Sequence, residues 1–228
     1  MLFRSLFKSK DFDSIQAKQS IEVGSIKAQK NDFANAIEDF NKAIELKPDF
    51  AEAYYNRGYA NMSLQNYDKA VSDNSKAIEL KPDFPNAYYN RGLAYYQLKK
   101  NEKAITDFTK VIELEPDNVL AYVNRGLAYY HLGNYNVAIL DENKALDLQP
   151  NEANAYVNRG LISISLRDYE KAIADETKAI EITPQDAVAY YDRGLGYYYL
   201  KNYGEHPLLN RAIAAQYYRY AIDMYPSR

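Results

Sequence analysis

Tyr54-Tyr55-Asn56-Arg57-Gly58 returns as Tyr88-Tyr89-Asn90-Arg91-Gly92, Tyr122-Val123-Asn124-Arg125-Gly126, Tyr156-Val157-Asn158-Arg159-Gly160 and Tyr190-Tyr191-Asp192-Arg193-Gly194. The interval is 34 residues each time. A second phrase, Lys42-Ala43-Ile44-Glu45-Leu46-Lys47-Pro48, keeps that interval as far as Lys178-Ala179-Ile180-Glu181-Ile182-Thr183-Pro184. A fixed period of this size marks stacked copies of one supersecondary unit, each burying its apolar face against its neighbours. The 228 residues are therefore expected to form a single elongated array, not one or two globular domains.

With internal positions counted from 1 to 34, the copies are 17–50, 51–84, 85–118, 119–152, 153–186 and 187–228. Residues 1–16 are expected to be a tail or the start of a capping helix. Proline holds position 32 at Pro48, Pro82, Pro116, Pro150 and Pro184, where it stops a helix. Between prolines the apolar steps are of three and four: Tyr88, Gly92, Tyr95 and Leu98, a polar break at Lys99-Lys100-Asn101, then Ala104, Ile105, Phe108, Val111 and Ile112. That is a helical period, so each copy reads as two antiparallel helices, A and B. Gly58, Gly92, Gly126, Gly160 and Gly194 share position 8 inside helix A, where glycine is unfavourable unless a partner helix approaches closely. Alanine recurs at positions 20 and 27, and an aromatic stands at position 17 in Phe33, Tyr67, Tyr135, Tyr169 and Tyr203. The sixth copy carries an insertion near 204–211, after which Ala214, Ala221 and Pro226 resume the register eight residues late.

This set of positions resembles the tetratricopeptide repeat (TPR) family: a large residue at 4, a small one at 8, an aromatic at 17, alanine at 20 and 27, proline at 32. The resemblance implies an all-α, right-handed superhelical solenoid of helix-turn-helix repeats. It also implies that the A helices line a concave face and that the array binds peptides or partner proteins.

Two series of charges run through the copies. Arg57, Arg91, Arg125, Arg159 and Arg193 hold position 7 on an otherwise small, apolar face, so each guanidinium needs a carboxylate. Asp39, Asp73, Asp107, Asp141 and Asp175 hold position 23. Pairing each aspartate with the arginine of the next copy leaves no member over, which predicts bridges Asp39–Arg57, Asp73–Arg91, Asp107–Arg125, Asp141–Arg159 and Asp175–Arg193.

Positions 2, 6, 9 and 13 of helix A share one face, which the resemblance directs into the groove. Position 6 supplies Asn56, Asn90, Asn124, Asn158 and Asp192. An amide can both donate to and accept from an extended backbone, and such a row resembles the asparagine ladder found in some members of the family. Around it stand Tyr55, Tyr59, Tyr89, Leu93, Tyr96, Leu127, Tyr130, His131, Tyr191, Tyr198 and Tyr199 as further peptide-contact candidates. Tyrosine suits such a surface because it offers large contact area and a polar tip. The basic clamp of chaperone-tail receptors is not matched, since Glu52, Tyr55, Asn86, Tyr89 and Leu120 occupy its positions.

Catalysis is disfavoured. The two histidines, His131 and His206, make no metal spacing, the glycines form no phosphate loop, and no cofactor is implied. Glu142 and Glu176 stand at position 24 where Phe40 and Phe108 do, so they read as part of the array and not as a catalytic pair. A net charge of −3 argues against a nucleic-acid partner. The absence of cysteine fits a reducing compartment, no segment is apolar enough to span a membrane, and a cytoplasmic location is expected. The expected function is a protein-interaction module that binds an extended peptide. The alternative is a scaffold that self-associates through its terminal copies into a homo-oligomer.

Overall fold

The computed structural model describes residues 2–200 and 212–219, with side chains from residue 12 onward. All secondary structure among the described residues is helical. The order is α1 (Leu2–Gln29), α2 (Phe33–Leu46), α3 (Ala51–Ser63), α4 (Tyr67–Leu80), α5 (Pro85–Gln97), α6 (Asn101–Leu114), α7 (Val119–His131), α8 (Tyr135–Leu148), α9 (Ala153–Ser165), α10 (Tyr169–Ile182) and α11 (Ala187–Leu200). A further stretch, α12, covers 212–219. This is a helical-repeat solenoid: odd-numbered helices are the A helices and even-numbered ones the B helices. The chain divides into two compact units, 1–116 and 117–228. The insertion near 204–211, Tyr203, Tyr220, Ala221 and Pro226 lie outside the described residues.

The leading segment is not a separate tail. α1 is 28 residues long and runs unbroken into the A helix of the first copy, whereas α3, α5, α7 and α9 have 13. The A helices of copies one to five end in the same way. Position 15 adopts a left-handed conformation at Asn31, Gln65, Lys99 and Arg167, with φ between 59° and 64°, and at Gly133 with φ 76°. The next amide then bonds five residues back: Asp32 N to Lys27 O at 3.0 Å, Lys100 N to Tyr95 O at 2.8 Å, Asn134 N to Tyr129 O at 2.9 Å. This is a Schellman closure, which satisfies carbonyls left open at a helix end and reverses the chain in three residues.

Small side chains set how closely the helices pack. Ala53, Ala60, Ala87, Ala94, Ala121, Ala128, Ala155 and Ala189 on A helices are fully buried, as are Ala36, Ala70, Ala104, Ala138 and Ala172 on B helices. At the tightest point, position 8 of helix A meets position 24 of helix B. A Cβ added at Gly92 would stand 2.8 Å from the Phe108 ring, and one at Gly58 would stand 2.5 Å from the Asn74 amide. No side chain fits there, which is why glycine persists despite its cost in a helix.

The ion pairs form within copies and not between them, which corrects the predicted register. Arg57 Nη2 lies 2.6 Å from Asp73 Oδ1, Arg91 2.7 Å from Asp107, Arg125 2.7 Å from Asp141 and Arg159 2.7 Å from Asp175. Each pair is two-pronged, as in Arg91 Nε donating to Asp107 Oδ2 at 2.8 Å. The reason is geometric. Positions 7 and 23 face each other across the A–B interface of their own hairpin, so the nearest carboxylate is the hairpin's own. The remaining Nη1 reaches back to position 25 of the preceding copy: Arg57 to Asn41 at 2.6 Å, Arg91 to Ser75 at 3.1 Å, Arg159 to Asn143 at 2.7 Å. Copies are thus joined by a charge-assisted hydrogen bond from the guanidinium to a neutral acceptor, and the ion pair stays internal.

Counting partners misled because both ends use other groups. Asp39 takes Lys27 at 2.7 Å, one turn beyond the position where arginine would stand. Arg193 has Tyr217 where its aspartate would be, lies 4.0 Å over that ring, and donates to Thr177 at 3.2 Å. The tyrosine at position 4 covers each guanidinium, from 5.6 Å for Arg57 over Tyr54 to 5.3 Å for Arg193 over Tyr190. A cation over a ring adds roughly 0.5–1 kcal/mol.

A double-mutant cycle separates the two registers. Arg57→Met with Asp73→Asn is expected to show a coupling of roughly 1–3 kcal/mol in urea unfolding, and Arg57→Met with Asp39→Asn to add within about 0.5 kcal/mol.

Candidate functional site

In the fifth copy the side chain at position 6 meets position 24 of the copy before it. Asn158 shows the contact fully: its Nδ2 donates to Glu142 Oε1 at 3.0 Å and approaches Val123 O at 3.5 Å. Asn90 and Asn158 are buried, and the Asn90 Nδ2 makes no hydrogen bond. Asn124 donates to Leu120 O of its own helix at 2.8 Å. Asn56 is half-buried and lines a cavity of about 220 Å³ with Ser25, Gln29, Tyr55 and Tyr59. The expected row of free amides is therefore not what the A helices present. Two of the four amides, Asn90 and Asn158, are drawn inward, and Asn158 reaches position 24 of the preceding copy.

Position 24 decides what each amide meets. It is Phe40, Asn74, Phe108, Glu142 and Glu176 in copies one to five, all fully buried or nearly so against the position-8 glycine. Glu142 is held well above the usual carboxylate range by burial, with the Asn158 hydrogen bond opposing the shift. The next copy replaces that amide with Asp192, itself only 5% exposed. Glu176 is 0% exposed and neither of its carboxyl oxygens has a partner. Burial, and then the neighbouring Asp192, push it up to about 10. Burial and Asp186 push Asp192 up to about 6. Two acids thus stand where the copy before has an acid and a donor.

The other candidates fall into two groups. Tyr55, Tyr89, Tyr96 and Tyr130 are half-buried, as are Leu93 and Leu127. Tyr55 packs on Phe84 at 4.9 Å and Tyr89 on Phe108 at 5.8 Å, so position 5 there serves helix packing. Tyr59, His131, Tyr191, Tyr198 and Tyr199 are exposed. Leu120 and Val188 at position 2 are exposed apolar groups that the sequence reading did not single out, although their place on the same helical face marked them.

The last copy concentrates the aromatic groups. Tyr191 meets Tyr218 of α12 at 5.4 Å, Tyr199 stacks on Tyr169 at 5.5 Å, and Tyr198 stands edge-on to Tyr199 at 5.4 Å. Burial pushes the Tyr218 hydroxyl up to about 12, and Tyr191, Tyr199, Tyr198 and Asp192 add to that shift. Among the residues described, no group of three or more metal-ligating side chains converges, and no helix is long and apolar enough to cross a membrane.

Family models described as "TPR repeat" match residues 24–65, 61–99 and 92–133, and models described as "Tetratricopeptide repeat" match 119–152 and 153–186. The chain belongs to the tetratricopeptide repeat family. As a TPR array it is a protein–protein interaction module, of a kind that is typically a non-enzymatic scaffold. An uncharacterized protein of Methanocaldococcus jannaschii, MJ0572, is 40% identical over 52 residues, which are 23% of this chain. The match spans 56% of that relative's length. Among solved structures, YrrB, described as a TPR protein with an unusual peptide-binding site, is 25% identical with a TM-score of 0.61, over 83% of this chain and 93% of that one. MamA is 26% identical with a TM-score of 0.66, over 72% and 96%. Pseudomonas aeruginosa pilF shares the fold at 20% identity and a TM-score of 0.76, over 96% and 95%.

The acid pair gives this TPR array a reversed pH response at its last junction. A carboxyl that holds its proton more tightly folded than unfolded stabilises at low pH. That contribution is complete below about pH 4 and falls as pH rises, through 6 for Asp192 and on toward 10 for Glu176. Glu176→Gln is expected to raise stability by about 2 kcal/mol at pH 8 and by much less at pH 4, read from thermal unfolding at each pH.

Proposed function

We propose that the array binds an extended segment of a partner protein along the open face of its A helices, through aromatic and aliphatic contacts more than through the amides. One observation carries this. In copies two to six, the exposed large apolar side chains of the A helices are Tyr59, Leu120, Val188, Tyr191, Tyr198 and Tyr199, at positions 2, 5, 9, 12 and 13. The B helices expose only Val137 and Leu140 among the described residues. Exposed apolar side chains gathered on one face mark an interaction surface. On the same helical positions, the first unit has Asn56, Leu93 and Tyr96 half-buried, and the second has Asn124, Leu127 and Tyr130 half-buried. The peptide-binding site named for YrrB supports a peptide as the ligand class.

Peptides selected by display on the full chain provide the test. Tyr59→Asp and Leu120→Asp are each expected to weaken the selected peptides that contact their unit at least tenfold, with the melting temperature kept. Leu140→Asp, on a B helix, is expected to change affinity less than twofold. The opposite ranking removes this reading.

A second reading is favoured by α1. Phe12, Ile15, Val23 and Ile26 are exposed on one stripe of that helix. Copies two to four have fully buried alanines at positions 3 and 10, where this copy has the exposed Gln19 and Ile26. The spacing of the stripe is symmetric about Gln19: Phe12 mirrors Ile26 and Ile15 mirrors Val23. A second copy of α1 packed antiparallel about a two-fold axis meets that pattern with itself. It also sets Lys18 on one flank near Glu22 of the other chain. Sedimentation of the full chain is expected to show a dimer that Val23→Glu converts to monomer. A monomeric wild type excludes it.

A further inference from the structure

We propose that the sixth copy carries a receptor site for a basic side chain, a guanidinium or ammonium held among Tyr191, Tyr199 and Tyr218 and neutralised by Asp192. The inference rests on the peptide-binding reading and names what the peptide brings to this end.

The argument starts from a missing donor. One copy earlier, the same two positions hold Glu142 and Asn158, and the amide closes the contact at 3.0 Å. Here they hold Glu176 and Asp192, with no N–H between them; Glu176 keeps its proton at neutral pH, and the charge of the pair falls on Asp192. Both Glu176 oxygens are buried without a partner, and no described residue bonds or pairs with the Asp192 carboxylate. The adjacent cation, Arg193, opposes the acids without cancelling their charge, and its Nε makes no hydrogen bond. Arg193 lies on the Tyr217 and Tyr190 rings, 4.0 and 5.3 Å away, and donates to Thr177. Asp186 adds negative charge and is itself engaged at the start of α11, accepting from Val188 N at 2.9 Å. A buried carboxylate without a donor is costly, and a cation from outside relieves it.

The surroundings select the kind of cation. Val188, Asp192, Leu195 and Tyr199 share one face of α11, the face argued above to meet the peptide. Tyr191 at 49% and Tyr199 at 37% exposure stand on the same helix as Asp192, and Tyr218 of α12 packs on Tyr191 with its hydroxyl in the field of Asp192, Tyr191 and Tyr199. Rings around a single carboxylate suit an organic cation, which gains from the ring faces and the charge together. A divalent metal needs several oxygen ligands, and no third ligating side chain converges here among the described residues.

Peptide display on the full chain tests the site. The enriched sequences are expected to share an arginine or lysine at one position, and replacing that arginine with citrulline, which keeps the shape and removes the charge, is expected to weaken binding at least tenfold. Asp192→Asn restores the acid–amide arrangement of the previous junction and so keeps the fold. It is expected to reduce the arginine-to-citrulline ratio below twofold with an unchanged or higher melting temperature. Enriched peptides with no shared basic residue, or a ratio that survives Asp192→Asn, overturn this site and leave the groove reading standing. No enriched peptide at all removes the groove reading and this one with it. Calorimetric binding of calcium or magnesium chloride that Asp192→Asn abolishes makes the site a metal site and also overturns the inference.

Discussion

In copies two to five the arginine at position 7 is largely withdrawn from water, its side chain 17–24% exposed, and the rest of each hairpin is arranged around it. Removing such a charge from water costs several kcal/mol unless hydrogen bonds and an opposite charge replace the solvent. The replacement comes from three directions. The aspartate at position 23 grips it from helix B, the tyrosine at position 4 covers it from its own helix, and Arg57, Arg91 and Arg159 reach a polar group on the preceding copy. One side chain therefore closes a hairpin and fixes its offset from its neighbour. The surrounding alanines and the position-8 glycine follow from that demand, because only small residues let the two helices come close enough for the two-pronged grip.

The packing also explains why the two faces of the A helix behave differently. The inner face carries alanine and glycine in every copy and tolerates little change. Position 24 lies against that glycine, and its occupant varies among phenylalanine, asparagine and glutamate. Position 6 of the next copy responds to it. Where position 24 is Glu142, Asn158 completes it; where it is Glu176, Asp192 does not. A core position is thereby coupled to position 6 of the next copy, and at the last junction the difference leaves two buried acids with no amide between them. The tyrosines of α11 and α12 gather at that same place.

The ends of the array obey the same physics with different residues. At the first copy Lys27 substitutes for the arginine from one turn away, and Val23 is left exposed. At the last copy an aromatic ring replaces the aspartate, so Arg193 is held by π faces and a hydroxyl. Neither end leaves its charge stranded, which is why an accounting of leftover partners chose the wrong register.

The sequence by itself determined the period, the two-helix unit, the helix ends at proline, the small-residue contacts and the family. Each of these rests on spacing along one helix or on a residue's own conformational limits, and both are local. It also showed that Arg57 and Asp73 belong to buried series, but not that they face each other, because partner choice depends on which side of a hairpin each helix turns inward. The left-handed residue at position 15 was hidden because only Gly133 and Asn31 carry a compositional sign of it, while Gln65, Lys99 and Arg167 are held there by the helix-end hydrogen bonds. For the candidate site, face periodicity placed Tyr59, Tyr191 and Tyr199 correctly in the open. The fate of the amides was decided only by tertiary structure, since whether Asn158 or Asp192 finds a partner depends on a side chain 16 residues away in another copy.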